Sequence, residues 1–310
     1  MSLTTPADRK ALVWLFLMLP VWGTTFPLMQ IGIRDIASHL PPGGHPRIAP
    51  TLLLFLRFLI ALPVILLLWR DLPRRLDRRT VRSGFLLSLP WYGGFILQIF
   101  GIQDSTPAIS AFLTSLYVVV VPVISRILFR EPMRGRVLVG IAVAVLGLGV
   151  MTDPFAGRFG WGEGLSALCA VSFAVHILLT DRLSREASAE GLTLGLMFWG
   201  SVYSLALLLV LPGGAAALAP AVLCGITTDG RIAANLAFLA VIASVLALYV
   251  VNAHQKSVTP ARAALLYTLE PVFAAGFSWW LAQEELTAGK LAGGALILAG
   301  NFIAERTGRP

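Results

Sequence analysis

Charge is scarce in this chain. Only 13% of its 310 residues are Asp, Glu, Lys or Arg, against 57% hydrophobic residues, and a soluble domain of this length could not hide that much apolar surface. Cysteine is scarcer still: Cys169 falls in an apolar run and Cys224 in a connection, which gives no logic for a disulfide. No Walker-type loop occurs, so ATP is not the fuel. No HExxH or GxSxG motif occurs, and no acidic metal-binding pair lies at a membrane end, so an enzyme would lack its parts. His39 and His45 are six residues apart in a Pro/Gly-rich connection; without thiols or a carboxylate cluster beside them they are weak metal evidence. No metal, no cofactor and no enzymatic activity are expected.

What the chain has in quantity is apolar runs. Its mean hydropathy is +0.80, and stretches of about 20 apolar residues, enough to cross a hydrocarbon core, recur along its whole length. Ten are expected, at 11–33, 50–70, 82–103, 106–128, 135–152, 161–180, 191–211, 234–255, 261–282 and 288–305. The first is too long for a cleaved leader and no small-residue cleavage site follows it. Only helices and closed barrels satisfy their backbone polar groups in lipid, and these runs lack the ten-residue alternation of barrel strands. The expected fold is an all-α polytopic membrane protein.

Basic residues set an expected orientation. With the N-terminus in the cytoplasm, the inside segments hold Arg9, Lys10, Arg70, Arg74, Arg75, Arg78, Arg79, Arg82, Arg126, Arg130, Arg134, Arg136, Arg182, Arg185, Lys256, Arg262, Arg306 and Arg309, which is 18 of the 24 Lys and Arg residues. The outside segments hold Arg34, Arg47, Arg158, Arg231 and Lys290, and Arg57 lies within a span. Such an excess marks the cytoplasmic side, so both termini are expected there. The net charge of +8 is mostly this topology signal, and the basic run at 70–82 is flanked by membrane spans, which argues against nucleic acid as a partner.

Shifting the sequence by 153 residues aligns the second half on the first without a gap. Thr106, Pro107, Ala108, Glu131, Gly140 and Gly147 fall on Thr259, Pro260, Ala261, Glu284, Gly293 and Gly300. The expected units are residues 1–152 and 153–310, five spans each. Five is odd, so the second half enters the membrane from the opposite side. Inverted repeats of this kind build many secondary transporters, with the substrate near the bilayer midplane between the repeats. An ancient duplication in a membrane enzyme or scaffold is the alternative.

Within this frame, "LEPVFAAGFSWWLAQEELTAGKLAGGALILAGNFI" from Leu269, "VWGTTFPLMQIGI" with Trp22 and Gly23, and "LLLFLRFLIALP" with Arg57 together resemble the EamA-type members of the drug/metabolite transporter superfamily. The resemblance covers essentially the whole chain. It implies ten helices in two inverted five-helix halves around a central cavity that serves export of small metabolites, and the family includes aromatic-amino-acid exporters of the YddG type. Two positions depart from it: Val118 stands where the second half has Pro271, with Pro122 four residues on, and Gln30 replaces a lysine often seen there.

Several polar residues in the spans are candidates for a substrate cavity. A charge such as that of Glu270 costs about 2.5–3.5 kcal/mol at the centre of a spanning helix unless it faces a cavity, pairs or stays protonated. Pro271 takes the helical donor from the Tyr267 carbonyl, so the two residues mark a kinked segment facing the interior. Substrate binding or a proton site stands there against a buried ion pair or a helix-locking hydrogen bond. Arg57 reads first as a bridge to a neighbouring helix, and otherwise as a site for an anionic group. His176 reads as a satisfied core histidine or a cavity contact. Trp22, Tyr92, Gln98, Ser115, Asn252 and Tyr267 complete the candidates, and Trp91, Phe95 and Gln98 share one helix face. Pro271 and Pro122 are the expected hinges. Gly140, Gly147, Gly289, Gly293 and Gly300 read as packing surfaces within each half, with dimerisation as the alternative.

The expected protein is thus an inner-membrane exporter working by alternating access. Its partners are the lipid bilayer and a small molecule, amino acids including aromatic ones first. Nucleosides, drug-like amphiphiles or a lipid-flipping activity are the alternatives. A monomer is expected, with a homodimer as the other arrangement.

Overall fold

The computed structural model describes residues 6–129, 135–152, 159–258, 263 and 266–305, and helix is the only regular structure among them. The first three spans are Pro6–Ala37, Ile48–Leu68 and Arg78–Asp104. Span 4 is a broken pair, Pro107–Thr114 and Tyr117–Phe129, and span 5 is Gly135–Thr152. Spans 6 and 7 are Trp161–Leu183 and Ala189–Val210. Span 8 runs through Gly230–Ala237, a π-helical stretch Phe238–Leu246, and Ala247–His254. The described helix of span 9 is Glu270–Leu281, and span 10 is Ala288–Glu305. Among the described residues seven helices are long and apolar enough to cross a membrane, and Leu138–Met151 and Ala288–Ile303 are shorter apolar ones. The chain is an all-α polytopic membrane protein. Arg130, Glu131, Arg134, Arg158, Thr259, Pro260, Ala261, Arg262, Arg306 and Arg309 lie outside the described residues.

Local chemistry fixes where the spans begin. Asp77 accepts the Thr80 N–H at 2.8 Å, an N-cap that starts span 3 at Arg78, four residues earlier than hydropathy places it. That bonding holds the exposed Asp77 carboxyl below its ordinary value. Arg78, Arg79 and Arg82 therefore sit on the first turns of a helix, not in a connection. Ser188 caps span 7 through Gly191 N–H at 3.2 Å, and Asp229 caps span 8 through Arg231 N–H at 2.9 Å. Between spans 7 and 8 a short helix covers Pro220–Thr228.

Helix axes approach closely where side chains are small. A Cβ on Gly147 would lie against the Gly293 carbonyl and the Ile297 nitrogen, and one on Gly300 against the Gly140 carbonyl and the Ala144 nitrogen. These glycines join span 5 to span 10. Packing within each half was the expectation; the observed contact is between the halves. The reason is geometric: Gly140, Gly147, Gly293 and Gly300 provide two glycine-bearing faces that accept each other's backbone. Gly23 plays a similar part where span 1 crosses span 9, since a Cβ there would meet Phe273 and the Ala274 nitrogen.

Spans 4 and 9 are interrupted at matching places. The breaks are the turns at Ser115–Leu116 and Thr268–Leu269, again 153 residues apart. In span 9 the break directly precedes Glu270 and Pro271, the first two residues of the following helix, where a proline's missing N–H costs nothing. In span 4 the break falls before Pro122, which lies inside Tyr117–Phe129. The first half breaks without proline because other groups take up the freed backbone: Asn301 Nδ2 of span 10 donates to the Ser115 carbonyl at 3.2 Å, and Ser115 Oγ donates to the Phe112 carbonyl at 2.7 Å.

Candidate functional site

The two breaks border one internal cavity of about 80 Å³, room for several waters. Trp22, Thr25, Arg57, Trp91, Phe95, Gln98, Thr114, Tyr117, Phe173, His176, Ile177, Val251, Gln255, Tyr267 and Glu270 line it. Six of the nine sequence candidates are among them: Trp22, Arg57, Gln98, His176, Tyr267 and Glu270. So are Trp91, Phe95 and Gln98, the shared face of span 3.

Arg57 is 1% exposed. Its Nε donates to Ser244 Oγ at 2.7 Å, its Nη1 lies 3.6 Å from the Met29 sulfur, and its Cζ is 4.9 Å from the centre of the Phe95 ring. Glu270 is partly buried at the start of its helix, where the positive end of the helix dipole favours a carboxylate. Neither residue makes an ion pair among the described residues. The cavity therefore holds one cation and one carboxyl group that do not neutralise each other directly.

Several of the other polar groups are tied into the walls. Tyr267 donates its hydroxyl to Gln255 Oε1 at 3.1 Å, and Gln255 Nε2 donates to the Ile177 carbonyl at 3.1 Å, linking spans 9, 8 and 6. The Trp22 and Tyr267 rings meet edge to face at 5.6 Å. Gln98 Nε2 donates to Thr114 Oγ1 at 3.4 Å. His176 Nε2 is 3.4 Å from Thr180 Oγ1 while its buried Nδ1 has no partner.

Three candidates lie away from the cavity lining. Tyr92 packs on Tyr203, ring centres 5.2 Å apart. Ser115 holds the break in span 4 together with Asn301. Asn252 is 1% exposed and donates to Thr193 Oγ1 of span 7 at 3.1 Å. Each packs against a neighbouring helix, and an apolar run alone does not distinguish such a residue from one that faces a cavity.

Thr25, Thr114, Phe173, Ile177, Val251 and Gln255 line the cavity and escaped the sequence reading. For two of them the repeat held the signal. The shift of 153 carries Thr114 onto Tyr267 and Gln98 onto Val251, and it also carries Tyr117 onto Glu270. All six of these residues face the same cavity. Applying the shift to the candidates themselves would have found Thr114 and Val251.

Comparison with known proteins agrees with this architecture. The model of the EamA-like transporter family matches residues 9–152 and again 160–305. A protein of Archaeoglobus fulgidus described as an uncharacterized transporter is 26% identical over 91% of this chain and 82% of its own. A probable amino-acid metabolite efflux pump of Salmonella typhimurium is 26% identical over 96% of this chain and 95% of its own. A crystal structure superposes with a TM-score of 0.61 across 96% of both chains at 18% identity, which speaks to the fold alone. With a family match over each half of the chain and a cavity bordered by two interrupted helices, the chain belongs to the EamA-like transporter family.

Proposed function

We propose that this transporter exports amino acids and related metabolites, aromatic amino acids foremost, by alternating access between units 1–152 and 153–310. The observation that carries the reading is the unpaired couple of Arg57 and Glu270 on one aromatic-lined cavity. An amino acid offers a carboxylate, an ammonium and a side chain, and binding pockets of this class combine a few placed polar groups with an apolar wall. The description of the Salmonella relative as an amino-acid metabolite efflux pump supports the same reading. Two ionisable groups are few, which favours broad specificity. One well-placed aromatic contact adds about 0.5–1.5 kcal/mol, so aromatic amino acids should be preferred over aliphatic ones by roughly tenfold at most. Cells overproducing the protein should tolerate toxic phenylalanine or tryptophan analogues better than controls, and loaded proteoliposomes should release those amino acids faster than empty-membrane controls. Export of nucleosides, cationic drugs or lipid with no amino-acid efflux would overturn the assignment.

The proposed setting is a bacterial-type inner membrane with both termini in the cytoplasm. Cys224 is exposed and Cys169 buried, so the native chain carries its own probe for this orientation. A membrane-impermeant maleimide should label Cys224 in intact cells. In a Cys224→Ser background, single cysteines near residue 40 should also be labelled, and those near 76 and 308 should not. The reverse pattern would overturn the orientation.

A further inference from the structure

Span 8 widens from α to π over Phe238–Leu246, and the π turn brings Ser244 to Arg57. Single π turns inside α-helices often accompany functional sites. Here Ser244 Oγ donates to the Leu239 carbonyl, five residues back, at 2.8 Å and accepts Arg57 Nε–H at 2.7 Å. Ser244 is itself fully buried. The serine thus holds the guanidinium by its inner edge and leaves the Nη edge uncommitted. Among the described residues Nη1 has only the Met29 sulfur at 3.6 Å, a poor acceptor, and Nη2 has no hydrogen-bond partner. A buried cation left in this condition costs several kcal/mol unless an acceptor is supplied.

A second donor points the same way. Trp91 is 1% exposed, lines the same cavity, and its Nε1–H has no acceptor among the described residues. Its ring lies 4.8 Å from both Phe58 and Phe95, the two rings beside the Arg57 guanidinium. Two unsatisfied donors on one cavity, one of them a planar cationic fork, match a planar oxyanion with two oxygens better than any neutral group. We propose that Arg57, positioned by Ser244 on the π turn and accompanied by the Trp91 N–H, is the binding site for the carboxylate of the cargo. This rests on the cavity being the cargo site and adds the chemistry of one end of it: the acid group is recognised in span 2 and Ser244 is a positioning residue.

The test is equilibrium binding to the full chain in lipid nanodiscs, with phenylpropionate, its neutral amide and phenethylamine as probes. The wild type should bind the acid at least about tenfold more tightly than the amide or the amine, the scale of one charge-assisted hydrogen bond. Ser244→Ala should bring acid and amide to within about threefold of each other, and Ser244→Thr, which keeps the hydroxyl, should restore the preference. Equal binding of acid and amide by the wild type, or no binding of either, would overturn the site. A Ser244→Ala variant that weakens acid and amide alike would make the serine merely structural and overturn the positioning role. If phenylpropionate binds with these ratios and phenylalanine is not exported, the amino-acid reading fails and the carboxylate site stands.

Discussion

Glu270→Gln is expected to lower the rate of cargo efflux at least about tenfold, the loss of one charge-assisted contact, without reducing the amount of protein in the membrane. The second half of that expectation follows from the geometry. Glu270 has no ion-pair partner among the described residues, so the amide orphans no buried charge. It keeps the shape of the side chain and leaves Pro271 in the first turn of the helix. The first half follows from the place of the carboxyl group. It sits at a helix start, next to a break, on a cavity whose other ionisable wall group of fixed charge is Arg57. A cargo ammonium or a coupling proton has its acceptor there. Efflux from proteoliposomes containing equal amounts of wild-type and variant protein separates the two effects. Unchanged efflux across a range of pH would leave Glu270 a structural residue at most, and loss of protein from the membrane would point to a folding role.

Much of this architecture is written in the sequence because lipid imposes simple rules. Twenty apolar residues make a span, and an odd number of spans per repeat inverts the second one. Glu270 and Arg57 stood out because ionisable residues are rare in such runs. The partners of polar residues were less legible. Asn252 and Gln255 are three residues apart at the end of span 8, yet Gln255 meets Tyr267 beside the cavity and Asn252 meets Thr193 of span 7. Which side of a helix faces the cavity depends on rotation about its axis, and the π turn at Phe238–Leu246 resets that rotation in the middle of span 8. No residue pattern in "FLAVIASVL" announces it. The break in span 4 was hidden for a related reason. Sequence reading looked for proline, whereas the Ser115 carbonyl is taken up by Asn301, 186 residues away. The glycine contacts of spans 5 and 10 show the same limit. Small residues mark a surface that can be approached closely but do not name the helix that approaches it.

Glu284 offers the opposite case from Glu270, a carboxylate whose loss should damage the fold. It lies between spans 9 and 10, directly after the left-handed residue Gln283 at φ 53°. Its Oε1 is 2.9 Å from Lys290 Nζ, and its Oε2 accepts the Ala108 N–H at 3.0 Å. Ala108 is in the first turn of Pro107–Thr114, so a carboxylate from the second half caps a helix of the first, where the helix dipole favours it. The pair is well shielded, with side-chain exposures of 6% for Glu284 and 16% for Lys290. Glu284→Ala leaves a shielded ammonium without its carboxylate and the Ala108 N–H without its acceptor, while Thr106 still accepts the Ile109 N–H at 3.4 Å. Removing one member of a buried pair costs about 3–5 kcal/mol; because Lys290 keeps the Glu285 carbonyl at 2.9 Å, a loss near the lower end, about 3 kcal/mol, is expected. Lys290→Met in the same chain removes the orphaned charge and should recover much of that loss, leaving about 1 kcal/mol for the lost acceptor of the Ala108 N–H. Reversible unfolding in mixed micelles of the wild type, both single variants and the double variant closes the cycle. Losses that simply add would mean the two side chains are not coupled, and an unchanged Glu284→Ala variant would mean that this contact does not hold the halves together at that face.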